Sequence, residues 1–324
     1  MTAPRIIFMG TPEFAVPSLG TLLMNNYNVV AVVSAPDRPA GRGLKKQQPA
    51  VARYAADNYL NLLQPDNLSD PAFVETVKKL NPDIIVVVAF RKLPEKIWKI
   101  PRKGTFNLHA SLLPQYRGAA PINHAIINGE KISGVTTFMI DDKLDTGNII
   151  FRKKVRIATD DSAGNLHDKL MKEGARLVIK TVKALIKGKV KLIDQHSLIK
   201  GGEELKKAPK IYSKDCYINW EKTDSEVYNF IRGLYPFPGA RTILRKDSRD
   251  YIIKIGRCKR VRMQSGLKPG ELLSDGKDYL MAGTSGRPIE IEEIQIEGRK
   301  KMPVQQFLRG FDIKQSIIVK DLPV

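Results

Sequence analysis

PDIIVVVAFRKLPEKIWKIPRKGTFNLHA runs from Pro82 to Ala110, and its reading decides the fold. The first part is unbroken apolar residues from Ile84 to Phe90, a short run closed off by polar and proline-bearing sequence. Such a run reads as a strand buried on both faces. The last part, Gly104 to Ala110, alternates and reads as a second strand. Upstream lie two more apolar runs, RIIFMG (Arg5 to Gly10) and NVVAVVSA (Asn28 to Ala35). Between them Thr11 and Pro12 open a helix that runs towards Met24, and PAVARYAADN and DPAFVETVKKL also read as helices. Downstream, Gly134 to Ile140 and Asn148 to Val155 add strands. An amphipathic helix then runs from about Ser162 to Lys187, with Leu166, Leu170, Leu177, Val178, Val182 and Leu185 on one side. Strands alternating with helices predict an α/β domain, Rossmann-like, with a mainly parallel sheet covered on both faces.

The period changes further on. Residues 189–210 carry lysines, Gly201-Gly202 and Glu203-Glu204, and read as a linker. From Ile211, one helix around Asp224 to Gly233 precedes short strands with glycine turns, which suggests a smaller β-barrel, OB-like, or a sandwich. The expected division is 1–188, a linker at 189–210, and 211–324.

The 324 residues hold 54 Lys and Arg against 34 Asp and Glu, a formal charge of +20. A solubility surplus is one reading, and a polyanionic partner, nucleic acid before membrane, is the sharper one. No apolar stretch approaches the roughly 20 residues that span a bilayer, and the start does not read as a signal peptide. The two cysteines, Cys216 and Cys258, are too few for a disulfide framework. The cytosol is the expected compartment. Gly10 stands alone where a dinucleotide fingerprint would place three glycines, and phosphate-loop and zinc motifs are absent.

Three side chains between Asn107 and Asp145 carry chemistry. Asn107 and His109 are two apart on one strand and project from the same face. An amide there can donate to a developing oxyanion, and an imidazole can move protons. On their own the pair also fits a turn cap and a satisfied buried histidine. Asp145, in DDKLDTGNII, can orient His109 and favour its charged form, or can be a solvated turn residue.

The run SLLPQYRGAAPINHAIINGEKISGVTTFMIDDKLDTGNII resembles the signature of the folate-dependent formyltransferases. IIFMGTPEFAVPSL, PDRPAGRG, APKIYSKDCYINW, IRGLYPFPGA and QIEGRKKMPVQQFLRG are similar to the branch of that family that acts on methionyl-tRNA, and the similarity spans nearly the whole chain. The resemblance implies formyl transfer from 10-formyl-tetrahydrofolate to the α-amino group of methionine on initiator tRNA, for translation initiation, without a metal. It implies that Asn107, His109 and Asp145 are catalytic. It implies further that Ser111, Leu112, Leu113 and Pro114, with Phe90 and Leu93, hold the folate. Relatives usually read Tyr-Gly where this chain has Phe90-Arg91, which puts the local turn in question. Two basic segments are expected at the tRNA: the loop with Arg38, Arg42, Lys45 and Lys46, and the strand-like run with Lys254, Arg257, Lys259 and Arg260. A monomer is expected. The rival readings are a formyltransferase for another amine, such as an amino sugar nucleotide, and an RNA-binding protein with a vestigial site.

Overall fold

The computed structural model describes residues 3–40, 45–199, 201–202, 204–262 and 266–319. The chain divides into two compact units. The first comprises residues 1–118, 132–156 and 167–208, and the second 119–131, 157–166 and 209–324. The division differs from the expected one in two ways. Residues 119–131 and 157–166 cluster with the second unit, and most of the expected linker belongs to the first.

The first unit holds a seven-stranded sheet. Its order is Ile149–Arg156, Ile132–Met139, Thr105–His109, Ile84–Val88, Arg5–Gly10, Asn28–Val33 and Leu62–Leu63. The five strands from Thr105–His109 to Leu62–Leu63 are parallel, and the remaining two add antiparallel pairs. Of the parallel strands, Ile84–Val88 is buried along its whole length, as its unbroken apolar sequence requires, while Asn28–Val33 is buried only from Ala31 on. Helices cover them. Pro71–Lys79 starts at Asp70, whose carboxylate accepts from the Ala72 amide at 3.1 Å, and buries Phe73, Val74 and Val77 against Ile7, Met9, Val33 and Ile85. The expected long helix spans Ala163–Ile186, and its Thr181 hydroxyl meets that of Thr137 on the sheet at 2.8 Å. From Arg5–Gly10 the chain winds outward to Leu62–Leu63, then returns to the other side at Ile84–Val88. The strand order reverses there, and a crevice opens at the carboxyl ends of such strands.

The second unit packs the helices Pro121–Ile127 and Asp224–Leu234 with two antiparallel sheets, one of five strands and one of four. Two stretches pass from one sheet into the other. Arg249–Ile255 bends at Gly256 and Arg257 into Cys258–Arg260, and Ile289–Ile291 bends at Glu292 into Glu293–Ile296. The bends bond to each other: Gly256 N–H donates to Glu293 O at 2.8 Å, and Glu292 N–H to Arg257 O at 2.9 Å. Such bends are how a small barrel turns its corners. Val227, Ile231, Leu244, Ile253, Ile291 and Phe307 fill the common core.

Both cysteines are free. Burial pushes the Cys216 thiol up. It pushes Cys258 up further, because the thiol is enclosed although the residue as a whole is half-buried, and Glu292 adds to the effect. A raised thiol holds little reactive thiolate. The folded protein is therefore expected to resist iodoacetamide at pH 7.5, whereas the unfolded chain takes two labels. Mass spectrometry of each after a timed pulse is the check, and rapid labelling of either residue in the folded state would contradict it.

Candidate active site

Thr105–His109 ends at the crevice, with Asn107 level with Val87 on one neighbouring strand and Phe138 on the other. Strand alternation puts Asn107 and His109 on one face. The Asn107 side chain has no partner among the described residues. It opens into a cavity walled by Val87, Phe90, Leu93, Phe138 and Ile140, which Asp145 also lines.

His109 stands behind this cavity, 6% exposed. Its Nε2 lies 2.9 Å from the Tyr116 carbonyl oxygen. A carbonyl can only accept, so Nε2 carries a hydrogen, and the position left to gain or lose a proton is Nδ1. Nδ1 faces Asp145 Oδ2 at 3.8 Å, beyond a direct hydrogen bond but within reach of charge attraction. The same Oδ2 accepts from the Gly118 N–H at 3.0 Å. Asp145 takes a left-handed backbone, φ 56°, which Asp tolerates better than most residues. Its turn is tied down by Asp141, whose carboxylate accepts from the Lys143 amide and the Thr146 hydroxyl. Gly118 has φ 126°, and a Cβ there would lie 2.3 Å from the Ala208 carbonyl oxygen, so the donor to Asp145 has to be glycine.

The residues expected to hold the folate divide into two groups. Phe90 and Leu93 line the cavity beside Asn107. Ser111, Leu112, Leu113 and Pro114 form a turn that does not line it. The Thr136 hydroxyl donates to Ser111 O at 2.7 Å and accepts from Leu113 N–H at 3.2 Å. Leu113 is fully buried against Phe138 and Ile149. Phe90-Arg91 also has a clear account. The left-handed residue of that turn is Ala89, φ 47°, so Arg91 need not adopt the glycine-favouring conformation. The Arg91 guanidinium instead binds the carbonyls of Asp66 and Pro65. Burial, then repulsion from Arg38, holds its pKa below the ordinary guanidinium value.

Of the basic loop, Arg38–Ala40 and Lys45–Gln47 form an antiparallel pair with Arg38 opposite Gln47. The described flanks of the loop are thus strands; Arg38 and Lys46 are exposed. Arg42 lies outside the described residues. The second basic run is less positive than its composition. Lys259 pairs with Glu290 at 2.8 Å and Arg260 with Asp224 at 2.7 Å. Arg245 pairs with Asp250 and Lys246 with Asp312. Lys254 and Arg257 carry no ion pair among the described residues, and Arg257 lies over the Tyr235 ring, 5.5 Å from its centre.

One site residue was not expected at all. Gln195, from the segment read as a linker, is fully buried and reaches the backbone of the Asp145 turn. Nothing in a polar residue among lysines signals burial.

The fold and the site define a formyl transferase: the chain belongs to the formyl transferase family, whose model matches residues 4–182, and the formyl transferase C-terminal domain matches 210–312. Within that family it is 44% identical over 317 residues to the methionyl-tRNA formyltransferase of Bacteroides fragilis, covering 98% of both chains. It is 48% identical over 309 residues to the methionyl-tRNA formyltransferase of Azobacteroides pseudotrichonymphae, covering 94% of this chain and 95% of that one. The solved structure of WlaRD, a sugar 3N-formyl transferase in the presence of dTDP and 5-N-formyl-THF, has the same fold. It is 21% identical with a TM-score of 0.64, covering 93% of this chain and all of its own.

Proposed function

We propose that this chain transfers the formyl group of 10-formyl-tetrahydrofolate to the α-amino group of methionyl initiator tRNA, with Asn107, His109 and Asp145 as its catalytic residues. One observation carries the reading: an unpartnered amide and a carboxylate meet in one cavity with an apolar wall of Val87, Phe90, Leu93, Phe138 and Ile140, and a buried imidazole faces the carboxylate. An apolar wall together with a few polar groups suits a flat heterocycle that presents a reactive edge. The bound folate supplies the formyl carbon and the leaving nitrogen. The amine's nitrogen bonds to that carbon, the bond from carbon to the folate nitrogen breaks, and the proton lost by the amine is matched by one gained by the folate nitrogen. Asn107 donates to the formyl oxygen as negative charge builds on it. His109 Nδ1 relays the proton, facing the Asp145 carboxylate, which Gly118 N–H keeps aimed. Phe90 and Leu93 hold the folate ring, and Ser111, Leu112, Leu113 and Pro114 are assigned to the folate site from the family resemblance, as a turn outside that cavity.

We assign catalysis to the first unit and the contacts along the tRNA backbone to the second, in a monomer working in the cytoplasm. Among the described residues no helix is long and apolar enough to cross a membrane. The test is incubation with charged initiator tRNA and labelled formyl-folate, following label into the aminoacyl ester. Label that enters a free amino sugar nucleotide but not the ester would refute the assignment.

The hairpin with Arg38, Lys45 and Lys46, together with Arg42, is placed at the acceptor end, and Lys254, Arg257, Lys259 and Arg260 along the phosphate backbone. Lys259 and Arg260 already have carboxylate partners, so Lys254 and Arg257 contribute most. Replacing both by Ala is expected to flatten the slope of log affinity against log salt by about 1.5. The Lys259→Ala, Arg260→Ala double variant should flatten it less. tRNA affinity across a salt series decides, and equal effects from the two pairs would mean that the ion pairs open on binding.

A further inference from the structure

We propose that Gln195 is a positioning residue of this site, a buried amide that sets where the Asp145 carboxylate stands relative to His109. The proposal rests on the reading of Asp145 and His109 given above. Gln195 follows a backbone bridge in which Ile149 and Ile193 exchange hydrogen bonds at 2.8 and 2.9 Å, and it precedes the short helical turn His196–Leu198. The bridge delivers its side chain beneath the Asp145 turn.

There the amide uses its whole bonding capacity. Nε2 donates to the carbonyls of Asp145 at 2.9 Å and Gly147 at 2.8 Å. Oε1 accepts from Arg117 Nε at 3.1 Å and Nη2 at 2.6 Å. Two donors and two acceptor positions are all that a glutamine has. Arg117 is followed by Gly118, whose N–H holds Asp145 Oδ2. The contacts therefore close a ring. One end of the amide grips the backbone on either side of Thr146, and the other, through Arg117 and Gly118, fixes the loop that holds the Asp145 carboxylate. Neither half can shift without moving the carboxylate that faces His109 Nδ1. Displacements of about 1 Å at a reacting group cost up to about a hundredfold in rate.

A residue that only fastened the 193–198 segment would affect stability and nothing else. Two variants of similar shape separate the roles. Gln195→Met removes all four bonds. Gln195→Glu keeps the acceptor for Arg117 but sets a carboxylate against two carbonyl oxygens. Both are expected to lower the single-turnover rate at saturating tRNA and folate by about tenfold to a hundredfold, with the Michaelis constants for both substrates within about threefold of the parent. The ring-nitrogen NMR signals of His109 should move in both variants, with circular dichroism unchanged. Arg117→Met cuts the ring from the other side without touching Gln195 and should reproduce the loss, so a folding failure at position 195 leaves the test intact. A folded variant with a parental rate and an unmoved His109 signal would overturn the proposal and leave Gln195 a fastener. A parent protein that does not formylate methionyl-tRNA would count against the function instead, and the His109 signal would still report on the positioning.

Discussion

Asn107→Ala is expected to lower the single-turnover rate of formyl transfer by on the order of a hundredfold to a thousandfold, the cost of losing one preorganised oxyanion donor. The fold should tolerate the change. The Asn107 amide has no partner among the described residues, so its removal strands no buried group, and the strand pairs with its neighbours through the backbone. tRNA affinity should stay near that of the parent, because the role proposed for the amide is confined to the reacting oxygen. Rapid-quench assays at saturating substrates, with circular dichroism for the fold, provide the measurement. An Ala variant as fast as the parent would mean that the charge on the formyl oxygen is met by some other donor.

Asp145→Asn should lose about a hundredfold or more in turnover, for a different reason. In the proposed mechanism the carboxylate is the charge that faces His109 Nδ1 at 3.8 Å, and an amide of the same shape carries none. Asn is also among the residues that best tolerate the left-handed backbone found here, so the turn and its bond from Gly118 survive the substitution. The loss should appear in single-turnover rates and leave the Michaelis constant for tRNA within a few fold. Parental turnover would reduce Asp145 to a turn residue that happens to face a histidine.

How far the sequence could be read depended on how local the physics was. The parallel strands were legible because burial on both faces leaves an unbroken apolar run, as in Ile84 to Val88. Asn107 and His109 were legible as a pair because strand alternation is a two-residue rule. Asp145 was legible only as one of two possibilities until the family resemblance was considered, since its relation to His109 depends on a loop that folds back across the sheet. The charge of the second unit was overestimated. Counting Lys259 and Arg260 as free cations ignores Glu290 and Asp224, partners some thirty residues away, the first supplied by strand pairing and the second by the start of the helix Asp224–Leu234. Gln195 was invisible for the same reason: its four bonds go to residues between 48 and 78 positions away.

The interleaving of the two units has a consequence for how this chain can be divided. The backbone crosses from one unit to the other five times, after Gly118, Lys131, Arg156, Leu166 and Ala208. Within the second unit, Asn123 donates to the Gly233 carbonyl at 2.8 Å, Arg232 to that of Asp161 at 2.6 Å, and Gly164 to that of Tyr235 at 3.0 Å. Each bond joins an early stretch of the chain to a late one. A scissile site anywhere in 189–210 would part all three, and Ile127 would be stripped from the core that it packs against. The C-terminal segment on its own is therefore an incomplete domain, and the reading frame offers no single point at which the two activities assigned to this protein could be inherited separately.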